Sequence, residues 1–213
     1  MVFQGSSAAI SHTGKVRSNN QDSGYSGSNL FVVADGMGGH AGGDVASSLA
    51  IDRLQRTDRP FESTAAAEKA LRDAIADAAN ELIDTVHVRP ELAGMGTTVS
   101  ALVMVDDYAV IAHIGDSRIY LYREGTLTQI TTDHTFVQRL VDSGRITPEE
   151  ARYHPRRDRP CRRPRRTGSS PNTRSPGCWS EPCRCARWRR SSPGRPFVRV
   201  PATSAARRSS RRP

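Results

Sequence analysis

The sequence predicts an α+β fold in its first 155 residues, on the strength of three observations. One is a helical apolar period within Ala65–Val86, and another is a change to short β-branched runs separated by turn signals after Thr97. The third is composition, because residues 1–155 hold every Leu, Ile, Met, Tyr, Lys, Gln and His of the 213-residue chain. They carry 13 basic and 20 acidic residues, whereas 156–213 carry 18 basic and 2 acidic, so the formal charge of +9 averages two unlike segments. The first has the apolar and charged content of a folded domain, and the second cannot supply a core.

Taken in order, Ala8–Ser11 reads as a short strand and Leu30–Ala34 as a buried one closed by Asp35-Gly36. Asp44–Leu54 has helical composition. In the longer helix Leu71, Ile75, Ala78, Leu82 and Val86 recur at three or four residues and mark one face. Thr97–Val105 and Tyr108–Ile114 flank Asp106-Asp107, while Ile119–Arg123 and Thr126–Ile130 flank Glu124-Gly125, which predicts successive antiparallel hairpins. Phe136, Leu140 and Val141 predict a short helix ended by Gly144. Thr147-Pro148-Glu149-Glu150 then predicts a helix start with a capping box. Past His154-Pro155 every periodic signal is lost.

Chemistry concentrates in VVADGMGGHAGG, residues 32–43. An apolar strand delivers a carboxylate into a loop where glycines let backbone carbonyls approach an ion, which suits a hard divalent cation. The same pattern also suits a turn whose Asp caps the next helix. VRSNNQDS precedes it, and GMGTT (94–98) and HIGDSR (113–118) follow. An Arg fork binds two phosphate oxygens at once, and carboxylates gathered from several segments can hold two metal ions. In an extended chain Arg17 and Asp22 point to opposite faces, so their spacing alone does not join them in one site.

These four motifs, in this order, resemble the PPM-type (phosphatase 2C) metal-dependent serine/threonine protein phosphatases in their bacterial form. The stretch TQITTDHTFVQRLVDSGRITPEEARYHPRR is similar to the family's next segment and its flap, so the resemblance spans roughly residues 8–157. It implies part of an α/β/β/α sandwich, a pair of antiparallel sheets flanked by helices, with two Mn2+ or Mg2+ ions at one end. It also implies hydrolysis of phosphoserine and phosphothreonine without a covalent intermediate, so that phosphorylated proteins, serine/threonine kinases and their substrates would be the partners. By that resemblance Asp35 bridges both ions, the Gly36 carbonyl meets one of them, Asp22 orients the attacking water, Arg17 holds the phosphate, and Asp116 contributes to a third ion.

Gln21 stands where many members carry Glu, and Met37 where eukaryotic members carry a His proposed as general acid. His40 reads as a surface or packing residue rather than a replacement for that acid. Asp116-Ser117-Arg118 also fits a turn with an ion pair, Asn19-Asn20 a turn, and Met95 and Met104 packing.

The resemblance stops at Arg157. Two further aspartates expected from the family, in SDG and G-x-DN strings, do not occur after residue 155. Residues 158–213 are therefore read as a disordered Arg/Pro/Ser-rich tail replacing the second half of the domain. A nucleic-acid-binding or acidic-membrane-binding tail is one account of it. A zinc cluster is another, though Cys161, Cys178, Cys183 and Cys185 form no Cys-x2-Cys pair and have no His nearby. The excess of Arg, Pro, Ser, Cys and Trp without Lys, Ile, Leu or Tyr favours a third, a shifted reading frame.

No leader or membrane-spanning segment is read, and the lack of cysteine before residue 156 points to the cytoplasm. The acidic balance of 1–155 speaks against nucleic acid as the domain's partner. A phosphatase-fold regulator without catalysis is the alternative function. Translation of the coding DNA beyond codon 157 in the other two frames should restore a periodic apolar sequence with SDG and then G-x-DN. Finding neither aspartate in either frame would remove the frameshift account.

Overall fold

The computed structural model describes residues 6–155 and the strand Phe197–Pro201. In chain order, β1 (Asp22–Ser26) and β2 (Leu30–Met37) form a hairpin, followed by α1 (Gly39–Leu54) and α2 (Thr64–Val88). The two-residue β3 (Gly96–Thr97) leads into a hairpin of β4 (Val99–Val105) and β5 (Tyr108–Ile114). A separate hairpin, β6 (Tyr120–Arg123) with β7 (Thr126–Gln129), precedes the short helices α3 (Phe136–Asp142) and α4 (Pro148–Tyr153). The main sheet is antiparallel with order β1-β2-β4-β5-β8, where β8 is Phe197–Pro201, and β3 pairs with β2.

Strand alternation decides where the core lies. Leu30 and Val32 of β2 align with Val103 and Ala101 of β4, which align in turn with Val110 and Ala112 of β5, and Ala34 continues the same face of β2. These residues share one core with Leu54 of α1 and Leu71 and Ala78 of α2. Along α2 the predicted stripe holds: Leu71, Ala78 and Leu82 are buried, and Ile75 and Val86 pack against buried clusters. Ser63 caps that helix by accepting from the Ala66 N–H, and the predicted capping box of α4 is complete between Thr147 and Glu150.

The opposite face of the sheet is apolar as well. Phe31 opposes Leu102, Leu102 opposes Ile111, and Met104 opposes Ala109; Ile111 and Met104 are buried, whereas Val33 is 55% exposed. A sheet apolar on both faces is an inner layer, as the sandwich expectation requires.

Three sequence expectations are corrected. Ala8–Ser11 is no strand: these residues are exposed, Ile10 almost fully, and no strand pairs with them among the described residues. The first strand is instead the polar Asp22–Ser26, an edge strand held by its register with β2 rather than by apolar burial. Helix α1 begins at Gly39, not Asp44, because the glycines at 42 and 43 lie against Met95, Gln21 and Gly36, where a side chain would collide. In the tail, for which no strand was expected, Phe197–Pro201 pairs antiparallel with β5, Ala112 aligning with Phe197. The predicted disorder of the rest of the tail concerns residues outside the described ones.

One carboxylate fixes the β1–β2 turn. Asp58, just after α1, accepts from the Tyr25 hydroxyl and the N–H groups of Ser28 and Asn29, each at 2.9 Å, and from the Leu30 N–H at 3.2 Å. Burial pushes its pKa up, but these hydrogen bonds outweigh burial and leave it below the usual carboxylate value. Asp58→Ala should lower stability by about 2–3 kcal/mol in denaturant unfolding, because it strands several donors at once. The folded pKa is depressed, so the contribution is fully present above the unfolded value of about 3.9 and fades as pH falls below it. The difference between the two proteins should therefore narrow in acid, and a constant difference from neutral pH to strong acid would contradict this assignment.

Candidate active site

The alternation that buries Leu30, Val32 and Ala34 sends Asp35 to the other face of β2, near its end. Its backbone is held from two sides. The Asp35 N–H donates to the Thr98 hydroxyl at 2.9 Å, and its carbonyl accepts from the Thr98 N–H at 2.8 Å and the Thr97 hydroxyl at 3.0 Å. On the β1 side the Gly36 N–H donates to the Gln21 carbonyl at 3.1 Å.

That Gln21 carbonyl also accepts from the buried Ser47 hydroxyl of α1 at 2.7 Å, and the Gln21 side-chain amide donates to the Gly39 carbonyl at 2.7 Å. Strand β1 is thus tied to the start of α1. The fit needs glycine, since a Cβ on Gly36 would lie 1.9 Å from the Gly43 carbonyl oxygen.

Asp22 is the register partner of Asp35 across β1 and β2. Its N–H donates to the Asn20 side-chain oxygen at 3.1 Å, so Asn20 serves as the turn residue that one reading expected. Asp116 is exposed in the turn after β5. Ser117 shares a hydrogen bond of 2.8 Å with the Thr98 hydroxyl, which links this turn to the backbone of Asp35. The next residue, Arg118, pairs with Asp133 rather than within the turn: Nε lies 3.0 Å and 3.2 Å from the two carboxylate oxygens of Asp133, and Nη2 lies 2.7 Å from Oδ2.

The electrostatics show which predicted residues meet. Asp35 reaches solvent, yet burial raises its pKa; the charges of Asp22 and Asp116 and a hydrogen bond with Asp22 raise it further, and Arg17 opposes them. The charges of Arg17, Asp22 and Asp116, from three other segments, thus all act on Asp35, which Gly36 follows in β2. Met37 is on the same face as Asp35, 44% exposed, and the His40 side chain lies outside the described set. Met95 and Met104 pack as expected.

Sequence reasoning missed the supporting residues: Thr97, Thr98, Ser47, Asp133 and the structural use of Gln21. The adjacent hydroxyls of GMGTT were the available signal, since glycine-flanked threonines at a strand start suit backbone bonding. Two acids and one Arg acting on Asp35 leave negative charge that a divalent cation would balance, so the donor chemistry fits one side of a metal centre. Among the described residues, however, no group of three or more His, Cys, Asp or Glu is arranged to hold an ion.

An edge hairpin that aligns two aspartates, a glycine-lined helix start and a charged turn tied back by the Ser117–Thr98 bond thus adjoin at the end of β2. Residues 11–153 match the Protein phosphatase 2C family, and the chain belongs to that family. It is 52% identical over 151 residues to the serine/threonine protein phosphatase PstP of Mycobacterium tuberculosis, covering 70% of this chain and 29% of that one. It is 38% identical over 153 residues to the serine/threonine phosphatase stp of Listeria welshimeri, covering 68% and 61% respectively. The chain thus spans less than two thirds of the length of either relative.

Among solved structures, the M. tuberculosis PstP/Ppp phosphatase superposes with a TM-score of 0.64 at 49% identity, covering 73% of this chain and 66% of that one. The PstP catalytic domain in complex with two manganese ions gives 0.59 at 50% identity, covering 68% and 62%.

Because the raised pKa of Asp35 means that its ionised form opposes folding, Asp35→Asn should raise the melting temperature of the chain at neutral pH without divalent cations. The gain should shrink as pH falls towards about 4, where the unfolded carboxyl is also protonated. A melting temperature that falls on substitution would contradict the crowded-carboxylate description.

Proposed function

We propose that this chain provides the Asp35 half of a metal-dependent phosphatase site for phosphoserine and phosphothreonine in proteins. The observation that carries this reading is the convergence of Asp22, Asp116 and Arg17 on Asp35 in a chain of the phosphatase 2C family. Manganese or magnesium, held through the Asp35 carboxylate and the Gly36 carbonyl with Asp116 nearby, would supply Lewis-acid charge and an acidified water.

The residues of this chain do the rest. Arg17 offers a guanidinium fork to phosphate oxygens and balances charge beside Asp35. Asp22, across from Asp35, accepts a hydrogen bond from the attacking water and so directs its lone pair. The Thr97–Thr98 bonds keep the Asp35 backbone fixed while charge at the site changes.

A second reading, a phosphatase-fold regulator without catalysis, is supported by one observation: among the described residues no group of three or more His, Cys, Asp or Glu is arranged to hold an ion. Phosphorylated proteins, with their serine/threonine kinases, are the proposed partners. The cysteine-free first 155 residues support a cytoplasmic site of action, and no helix of the described residues is long and apolar enough to cross a membrane.

Phosphate release from a phosphothreonine peptide, measured against Mn2+ concentration, separates the two readings. With no such group among the described residues, the expected result is weak release that requires high Mn2+ and is abolished by Asp35→Asn or Arg17→Ala. Release at least about a thousandfold below that of an intact family enzyme, and insensitive to both substitutions, would leave the regulator reading.

A further inference from the structure

His113, near the end of β5, has no part in the chemistry above, yet it is only 5% exposed. A buried imidazole without partners would be costly, and both nitrogens of this one are matched. Nδ1 lies 3.1 Å from the hydroxyl of Ser100, its cross-strand neighbour, and Nε2 lies 3.1 Å from the Gly115 carbonyl oxygen. A carbonyl only accepts, so Nε2 carries the hydrogen, and in the neutral ring Nδ1 accepts from Ser100. Burial, reinforced by the neighbouring His134, pushes the His113 pKa down to about 4, which keeps the ring in this neutral form.

The residue held by that bond is Gly115. Its φ of 111° belongs to glycine, and a Cβ there would come within 2.5 Å of the Thr98 side chain. The same carbonyl accepts from the His134 N–H at 2.7 Å, while the Gly115 N–H donates to His134 Nδ1 at 3.3 Å. The two imidazole rings are 5.1 Å apart. Asp116 follows directly, and Ser117 then bonds to Thr98, whose hydroxyl accepts from the Asp35 N–H. A continuous path of hydrogen bonds and backbone runs from the sheet through the Asp116 turn to the backbone of Asp35.

We propose that His113 is a positioning residue for the Asp116 turn: anchored in the sheet through Ser100, it fixes the Gly115 carbonyl and so the placement of Asp116 beside Asp35. This rests on reading Asp116 as a site carboxylate, but its test needs no bound metal.

Long-range proton–nitrogen spectra of the labelled, metal-free chain should show His113 as the neutral Nε2–H form throughout about pH 5.5 to 8. A protonated Nδ1, or a titration of this ring within that range, would overturn the proposal. Since that measurement uses the unmodified chain, it can overturn the proposal even if a variant fails to fold.

His113→Phe keeps an aromatic ring and removes both bonds. It should speed amide exchange at His134, whose N–H meets the Gly115 carbonyl, by at least about tenfold relative to Ala101 and Ala112 in the same sheet. His113→Gln, whose amide can donate to Gly115, should bring that exchange back to within about threefold of the unmodified chain. Uniform exchange changes across the sheet, or no rescue by Gln, would reduce His113 to packing and refute the assignment. A chain that shows the local pattern but does not respond to Mn2+ would support the positioning role while removing the metal reading.

Discussion

The site depends on the double clamp on the Asp35 backbone. Thr98 receives its N–H and supplies an N–H to its carbonyl, while Gln21 receives the N–H of the next residue, so the end of β2 is fixed by neighbours on both sides. A carboxylate that repels two others must be held by bonds that do not involve its charge, and backbone bonds meet that condition. The glycines follow from this. With Gly36 and Gly43 in near contact, α1 can begin directly against the strand end, and Ser47 can reach the Gln21 carbonyl from inside the helix.

Much of the architecture was legible where burial imposes a period. The α2 stripe, the Val99–Val105 and Tyr108–Ile114 hairpin and the Thr147–Glu150 capping box follow from local rules that no distant contact overrides. Strand β1 was not legible. Asp22–Ser26 has no apolar pattern and is a strand because β2 offers it an edge and Asp58 pins the turn. The start of α1 was hidden for a related reason, since glycine argues against helix locally and close packing against Gln21 and Met95 selects it here.

The candidate site was legible as a set of motifs rather than as a geometry. Spacing could not place Arg17 with Asp22, and the two converge only because the hairpin sets Asp22 opposite Asp35, upon which Arg17 also acts. The turn reading of Asp116-Ser117-Arg118 holds with a different partner, because Arg118 pairs with Asp133 outside the turn while the charge of Asp116 acts on Asp35. Asn20 likewise acts within a turn, and that turn orients the backbone of Asp22. A residue can satisfy a bland local role and still determine where a functional group points.

The outer face of the main sheet adds a constraint that no single motif carries. Along it, Phe31, Leu102, Met104 and Ile111 occupy one end, and Asp35, Ser100 and His113 occupy the other, a gradient from apolar to polar set by strand alternation and register. Whatever layer covers the apolar end must stop where the polar groups begin, since burying an unpaired Asp35 would cost far more than covering another leucine would gain. The same face that calls for a second layer therefore defines the rim at which water and charge remain. His113 and Ser100 sit at that boundary, buried yet polar, and they can occupy it because each satisfies the other across the strands. The placement of the chemistry at the edge of the sheet is thus a consequence of how polarity is distributed along β2, β4 and β5.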